Sequence, residues 1–462
     1  MGIEGSNTLE QSAASRSKGS TGGEESLRPL YPKLRAGRRG RGGPSDDEVA
    51  SHQRARLHAA MLRAVTSDGY TATTVRQLSA LAGVSTRTLY DLFSDGKQEC
   101  FFSAYEAAMR RMARRVAVAY LSEHDRERGL ARALEAFASQ VCEEPEAARL
   151  ILVEVFAAGP GALERMEHTH RLFEGMIDLS FSHTAGGAPP PLMVKGVVAG
   201  VAQVARARLL DDRTAELPAL TEELLAWVLS HRSPAAGMVQ SLGGVGGSVA
   251  PMSADRAGHG DERGRILDAA VDLAVQGGYA WLSPGRIAAA AGVSRRRFHA
   301  HFADVQGCFD AALERLTDRA LAHAAAAGTD GRDWPGGLHR VLCALCALLA
   351  GNPRFARLAF VEMFAPGPDG VRLRARVMGE LAKRLRASAP AGQRPNDLAA
   401  EASVGAVWGI LHHHVAHDAT DRLPDIAPQL SFMVLAPVLG AQTAAQAIHA
   451  EHALMQAASV DV

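Results

Sequence analysis

The chain says the same thing twice. Residues 57–95 and 266–304 align without a gap at a constant offset of 209. A repeat of this length fixes the architecture before any local motif is read. The first copy reads GYTATTVRQLSALAGVSTRTLYDLF from Gly69 and the second GYAWLSPGRIAAAAGVSRRRFHAHF from Gly278. Likeness resumes downstream, where EPEAARLILVEVFAAGP from Glu144 matches NPRFARLAFVEMFAPGP from Asn352 at offset 208. The duplicated unit is therefore a whole protein of roughly 200 residues, and two such units with linkers fill a chain of 462.

The periodicity inside each unit is helical. Leu57, Ala60, Met61, Ala64 and Val65 in one copy, and Ile266, Ala269, Ala270, Leu273 and Ala274 in the other, follow i, i+3, i+4 spacing. No alternating strand pattern appears, so the fold expected is all-α, as a tandem duplication. The boundaries expected are a disordered basic arm at 1–45, a first small helical head at 46–112 and its helical body at 113–230. A flexible linker follows at 231–260, then a second head at 261–320, a second body at 321–448 and a tail at 449–462. The arm and linker rest on composition: both are rich in Gly and Ser and poor in large apolar residues, which cannot offset the entropy of ordering.

Lys plus Arg equals Asp plus Glu, 50 against 50, so any surface for a polyanion must be local. Five scattered cysteines do not make a disulfide framework and suit a reducing, cytoplasmic setting. Cys343 and Cys346 share a helix face and read as small core residues before a thiol switch. No stretch approaches the roughly 20 apolar residues that span a bilayer, so no membrane partner is expected.

Each repeated core parses as helix, helix, tight turn, helix. The second helix begins at Thr74 or Ser283, whose side-chain oxygens can cap free N–H groups, with Pro284 at a first-turn position where its missing donor costs nothing. It stops at Gly83 or Gly292, suited to a left-handed turn. Ser85 or Ser294 then caps the third helix, which should bury Leu89 and Phe93, or Phe298 and Phe302. This is a helix-turn-helix pattern, and such a motif lays the N-terminal residues of its last helix against base edges in the major groove. In copy one these are Thr86, Arg87 and Thr88, with Tyr90 a turn later; in copy two they are Arg295, Arg296 and Arg297, with His299. Arginine can bind guanine bidentately, so the copies should read different bases. A run of arginines is often only a solvated helix face, but its place at the start of the third helix favours DNA.

Both copies resemble the TetR-like one-component regulators, through the GY pair, the AGVS turn and the YxxF-type third helix. The resemblance implies a DNA-binding head, an effector-binding and dimerising body, and repression at a near-palindromic operator relieved by a small molecule. It places Thr74, Thr86, Tyr90 and Lys97 of copy one at DNA contacts. In copy two Val305 or Gln306 stands in the place of Lys97, and His299 in that of Tyr90. Residues 46–115 carry 10 Lys/Arg and 8 Asp/Glu, whereas residues 255–320 carry 9 and 9, so head one should anchor more firmly.

Glu154 and Glu362 lie among apolar neighbours in LILVEVF and LAFVEMF, as candidate contacts for a cationic effector. Gly196 and Gly200, and Gly405 and Gly409, stand four apart where the resemblance puts the dimer-forming helix, and small residues at that spacing let helices approach closely. The two bodies should thus pair as an intramolecular pseudo-dimer, with further homodimerisation open. His413 and His417 at i, i+4 could share a metal, but no paired thiolate or Glu completes a recognisable site, so they read as a polar helix end or part of a ligand pocket and no metal is assigned. No nucleophile-base pair or phosphate-cradling loop is present, so no enzyme or cofactor is expected. The alternative to a two-headed regulator is a ligand-sensing or interaction module whose second head has lost DNA binding.

The run KLRAGRRGR (residues 33–41) concentrates positive charge just ahead of head one. Deleting residues 1–42 is expected to weaken DNA binding and flatten its salt dependence, because each phosphate contact releases counterions. Unchanged affinity at several salt concentrations would exclude a role for the arm.

Overall fold

In the computed structural model the described residues are 45–182, 189–244, 261–331 and 333–460. The basic arm and residues 245–260 of the expected linker lie outside them. No strand occurs among the described residues. The first unit contains α1 (Asp46–Ala72), α2 (Val75–Ala82), α3 (Thr86–Leu92), α4 (Lys97–Leu121), α5 (Arg126–Glu143), α6 (Pro145–Leu152), α7 (Pro160–Phe181), α8 (Pro191–Leu210), α9 (Thr221–Leu229) and α10 (Ala235–Gln240). The second contains α11 (Glu262–Gly277), α12 (Pro284–Ala290), α13 (Arg295–His301), α14 (Val305–Gly328), α15 (Trp334–Gly351), α16 (Pro353–Phe360), α17 (Pro368–Ser388), α18 (Asp397–Ala416), α19 (Leu423–Leu439) and α20 (Ala441–Val460).

Four boundaries differ from the sequence expectation. Position 112 falls inside α4 and position 320 inside α14, so each head is continuous with its body through one long helix. Residues 231–244, expected as linker, are ordered: His231 is fully buried, and α10 packs its Ala235, Ala236 and Val239 against the second unit. The expected tail from 449 is helical to Val460, because Glu451 and His452 face inward, Glu451 paired with Arg340 and His452 with His339. Composition misses such polar-looking ends when their few apolar and paired groups are buried by distant helices, of the other unit for residues 231–244 and chiefly of α15 and α19 in the same unit for residues 449–460.

The units meet through α8 and α18, which are repeat counterparts. An added Cβ at Gly200 would lie 2.3 Å from the Trp227 ring and 2.7 Å from the Ala402 carbonyl oxygen; at Gly409 it would lie 2.4 Å from the Ala199 Cβ. At Gly405 it would meet the Gln203 Cβ at 2.3 Å, and at Gly196 the Ile410 Cδ1 at 2.9 Å. All four glycines flagged by spacing therefore sit at or beside the seam. Phe156 and its counterpart Phe364 stack on each other at 4.9 Å between centroids. Contact of a residue with its own counterpart is the mark of an isologous, two-fold interface. Polar contacts also cross the seam: Arg208 pairs with Glu401, the Trp227 indole N–H donates to Ser403 Oγ (3.1 Å), and His231 Nε2 meets the Met433 carbonyl (3.2 Å).

The cores are not symmetric. Leu57, Met61, Leu78, Leu89 and Phe93 of head one belong to the same apolar cluster as both bodies, whereas Ile266, Ile287, Phe298 and Phe302 form a smaller cluster confined to head two. Helix α15 alone among the described residues is long and apolar enough to cross a membrane, with mean hydropathy 1.2 over 18 residues. Half of it is buried by neighbouring helices here, and its His339 hydrogen-bonds Ser431 at 2.8 Å, as in the core of a folded body. Cys346 is buried beside it, and burial pushes the Cys343 thiol up to about 12, which agrees with core packing for both.

Replacing Gly200 or Gly409 with Val is expected to lower stability by about 1–3 kcal/mol or more through overpacking at the seam. Gly175→Ala, where an added Cβ meets nothing within 4 Å, should change stability by less than about 0.5 kcal/mol. Equal denaturation midpoints for all three would contradict the seam.

Burial lowers His231 and His339 to about 4 and His412 to about 3. These folded values lie below the unfolded value of about 6.5, so the unfolded chain binds more protons between them. The stability these histidines contribute is present above pH 6.5 and is lost as pH falls toward 4, by up to about 1.4 kcal/mol per pH unit for each. Urea denaturation at pH 7.5 and pH 5 checks the sign.

Candidate nucleic-acid interface

Head one is assembled by caps. Thr74 Oγ1 accepts from the Gln77 N–H at 3.2 Å while the Gln77 side chain accepts from the Thr74 N–H at 3.4 Å, a capping box that starts α2. The helix ends at Gly83 in the left-handed region, φ 62°, with the Val84 N–H donating to the Ser79 carbonyl at 3.0 Å. The buried Arg56 donates to the Gly83 carbonyl at 3.1 Å and braces this turn. Ser85 Oγ then accepts from the Thr88 N–H at 2.9 Å, and α3 buries Leu89 while Ser85, Thr86, Arg87 and Tyr90 stay exposed and Thr88 half-exposed. Arg87 is 90% exposed, with only a loose contact to Asp91 at 3.9 Å. The Tyr90 ring lies against the turn at Gly96, where φ is 62° and a Cβ would come within 2.9 Å of the ring.

Lys97 heads α4 as expected, but its ammonium is turned inward. It donates to the Tyr70 carbonyl at 3.0 Å and the Thr71 carbonyl at 3.4 Å, and it rests 4.4 Å over the Tyr70 ring. In this conformation it closes the end of α1 and does not reach for a phosphate.

Head two repeats the frame with different contents. Ser283 Oγ accepts from the Arg286 N–H and Ser294 Oγ from the Arg297 N–H, both at 3.3 Å. Arg295, Arg296, Arg297 and His299 are exposed on α13. The three arginines are not equivalent, however. Arg297 donates to Glu262, with its Nε at 3.0 Å and an Nη at 2.8 Å, and His301 lies 3.1 Å from the other oxygen of the same carboxylate. The paired Arg297 holds the Glu262 carboxyl below its usual range. Head one has Gln53 in the place of Glu262, so nothing there restrains its third helix in this way. Sequence reading missed Glu262 because it lies 35 positions from Arg297. It also missed Arg286 and Trp281, an exposed pair beside the start of α12 in which the guanidinium lies 5.3 Å over the indole.

Glu154 and Glu362, expected as ligand contacts, line none of the cavities described below. Glu154 is 1% exposed, accepts from the Tyr70 N–H at 2.9 Å and sits 3.4 Å from Arg149. Burial pushes its carboxyl up, against the opposing pull of that hydrogen bond. Glu362 reaches the equivalent Gly278, where a Cβ would lie 2.8 Å from its carboxylate oxygen. Glu154 thus ties its body to the GY turn of its own head and Glu362 packs against the equivalent turn; the glycine is needed for φ near 75° in both, and for the approach of the glutamate at Gly278. Head one has a further contact across the seam: a Cβ at Gly69 would lie 2.4 Å from Pro368, and one at Gly367 would lie 2.3 Å from Thr71.

Each body holds an apolar cavity. One of about 600 Å³ in the second body is walled by apolar residues such as Leu342, Leu345, Phe360, Leu381, Trp408 and Leu411. A smaller one of about 90 Å³ in the first body is lined by Met109, Phe137, Ile177 and Val201. His413 and His417 lie at the seam, where Glu167 of α7 accepts from His413 Nδ1 at 2.6 Å and lies 3.3 Å from His417 Nε2. The carboxylate that sequence reading did not find beside these histidines comes from the other unit, 246 positions from His413. The three donors lie within 4.8 Å of one another, a set able to hold a divalent ion, and in the structure both imidazoles lie against the Glu167 carboxylate.

Among known proteins, the model of bacterial regulatory proteins of the tetR family matches the chain twice, at residues 58–104 and 266–312. No curated protein matches it. Two solved structures are similar to part of it. One is the transcriptional regulator FadR from Bacillus subtilis in complex with stearoyl-CoA, 15% identical, with a TM-score of 0.35, covering 38% of this chain and 97% of that one. The other is the fatty acid degradation regulator FadR from Bacillus halodurans, 15% identical, with a TM-score of 0.34, covering 37% and 96%. The two family matches fall on the two capped helix-turn-helix heads, α1 to α4 and α11 to α14, and the chain belongs to the TetR family of DNA-binding transcription regulators, with two TetR-like units in tandem.

Proposed function

We propose that this chain is a repressor that supplies both halves of a TetR-type dimer from one polypeptide and reads an imperfect palindrome with two unlike heads. The observation that carries this reading is the pairing of counterparts, α8 on α18 and Phe156 on Phe364, in a chain that also presents two separate exposed recognition helices. A chain that is its own partner needs no second copy to present two heads. Its half-sites lie about one helical turn apart, roughly 34–36 Å. Thr86, Arg87, Thr88 and Tyr90, with Thr74 and Ser85 at the caps, form the contact set of head one. Arg295, Arg296 and His299, with Ser283 and Ser294, form that of head two, and Arg297 joins only if it leaves Glu262. Such a regulator works in the cytoplasm, at the DNA.

The effector occupies the apolar cavity of the second body. Helix α17 contributes Leu373, Val377 and Leu381 to that wall, and its first residue, Pro368, abuts head one at Gly69. A ligand that prefers one position of α17 therefore shifts the position of head one in the opposite unit, and the DNA-bound population follows the difference in affinity.

The second reading, in which head two no longer binds DNA, is favoured by one observation: Glu262 already holds Arg297 and His301. Alanine at both Arg295 and Arg296 separates the two. Loss of about 1–3 kcal/mol for each base contact removed, confined to one half-site of a footprint, is expected for a reading head. Undiminished specific affinity would make head two silent. Mass in solution with a bound operator should give one chain per site, and two chains per site would overturn the self-paired arrangement.

A further inference from the structure

Two arginines are buried at the seam without a carboxylate. Arg206 of α8 is 7% exposed and Arg374 of α17 is 2% exposed, and they come from different units. Arg206 donates to the Leu152 carbonyl at 2.5 Å and to Gln203 Oε1 at 3.2 Å. Arg374 donates to the same Gln203 oxygen at 2.9 Å, lies 4.0 Å over the Trp408 ring, and leaves its Nε with no hydrogen-bond partner. Neither guanidinium has an acidic partner within 4 Å among the described residues, and no carboxylate acts on the charge of either. Both line one cavity of about 70 Å³ between the units, together with Lys195, His412, Glu167 and Glu174.

The two carboxylates on that wall are engaged elsewhere. Glu174 pairs with Lys195 at 3.3 Å, and Glu167 accepts from His413 and lies against His417. His412 is neutral there, its imidazole lowered by burial and then by Arg374 and Arg206. Two desolvated cations thus face a cavity, sharing one neutral acceptor, although buried charges are ordinarily paired because an unpaired one is strongly destabilising. The pair is not a legacy of the repeat. Val415 stands in the place of Arg206 in the second unit, and Met166 in the place of Arg374 in the first. The common fold therefore does not require either.

We propose that this cavity is a binding site for an oxyanion, a carboxylate or phosphate group held between Arg206 and Arg374. Guanidinium forks match both groups geometrically, and a 70 Å³ cavity admits the anionic group itself. The bound oxyanion joins α8 of one unit to α17 of the other. Any larger ligand must continue past Trp408, which also walls the apolar cavity of the second body, and this extension alone rests on the effector reading above.

The test uses the full chain and two probes at matched ionic strength in chloride, inorganic phosphate and octanoate, each titrated by calorimetry and by thermal unfolding. Saturable binding of one anion per chain with a rise in unfolding midpoint is expected. A response to phosphate marks a site for the free anion; a response to octanoate alone marks the head group of an amphiphile. Arg374→Lys keeps the charge but not the fork and should weaken binding at least tenfold, and Arg206→Met should do the same. Arg87→Ala, on the DNA face, should leave the response intact. Binding of neither probe to the wild-type chain, or an unchanged response in both seam variants, overturns the site. Arg87→Ala should lose DNA affinity while keeping the anion response, so failure of the anion site can be told apart from failure of the regulator reading.

Discussion

The close approach of α8 to α18 is the constraint on which the remaining structure depends. Helices with ordinary side chains pack about 8–10 Å apart, and ridges of large residues hold them there. Here Gly200, Gly405 and Gly409 leave no room for a Cβ, so the two backbones close on each other. That approach brings Phe156 against Phe364, Trp227 against Ser403, and His231 against the Met433 carbonyl. Because the elements that meet are counterparts, one chain reproduces the two-fold geometry that separate subunits reach by association.

Duplication in one chain also frees the copies to differ, which two identical subunits cannot do. Head one shares its apolar core with both bodies and touches Pro368 across the seam; head two has a core of its own and holds Arg297 against Glu262. Arg206, Arg374 and the Glu167–His413–His417 cluster each occur once, astride the pseudo-two-fold axis. An identical dimer would carry every such feature twice or place it on the axis. The second unit thus adds chemistry at the seam as well as a second DNA-facing surface.

Much of the frame is legible in the residues because it is set locally. Caps at Thr74, Ser85, Ser283 and Ser294, the left-handed turns at Gly83 and Gly292, and the buried Leu89, Phe93, Phe298 and Phe302 all follow from short-range hydrogen bonding and helical period. The four interface glycines are legible for the same reason, as a spacing. Less is legible where a side chain chooses among distant partners. Lys97 folds inward onto the α1 carbonyls, Glu154 caps the Tyr70 N–H, residues 231–244 are ordered by contacts with the other unit, and residues 449–460 by α15 and α19.

The sequence by itself determined an all-helical tandem of two helix-turn-helix units whose recognition helices had diverged. Local periodicity and capping need only neighbours within a few positions, and the repeat is visible at any distance. Only the tertiary structure decided that Glu262 restrains Arg297, that Glu167 completes the pair His413 and His417, and that Arg206 and Arg374 converge without a counter-ion. Each of these rests on the meeting of charges 35 to 246 positions apart, and such meetings are fixed by how helices pack, which no local pattern encodes.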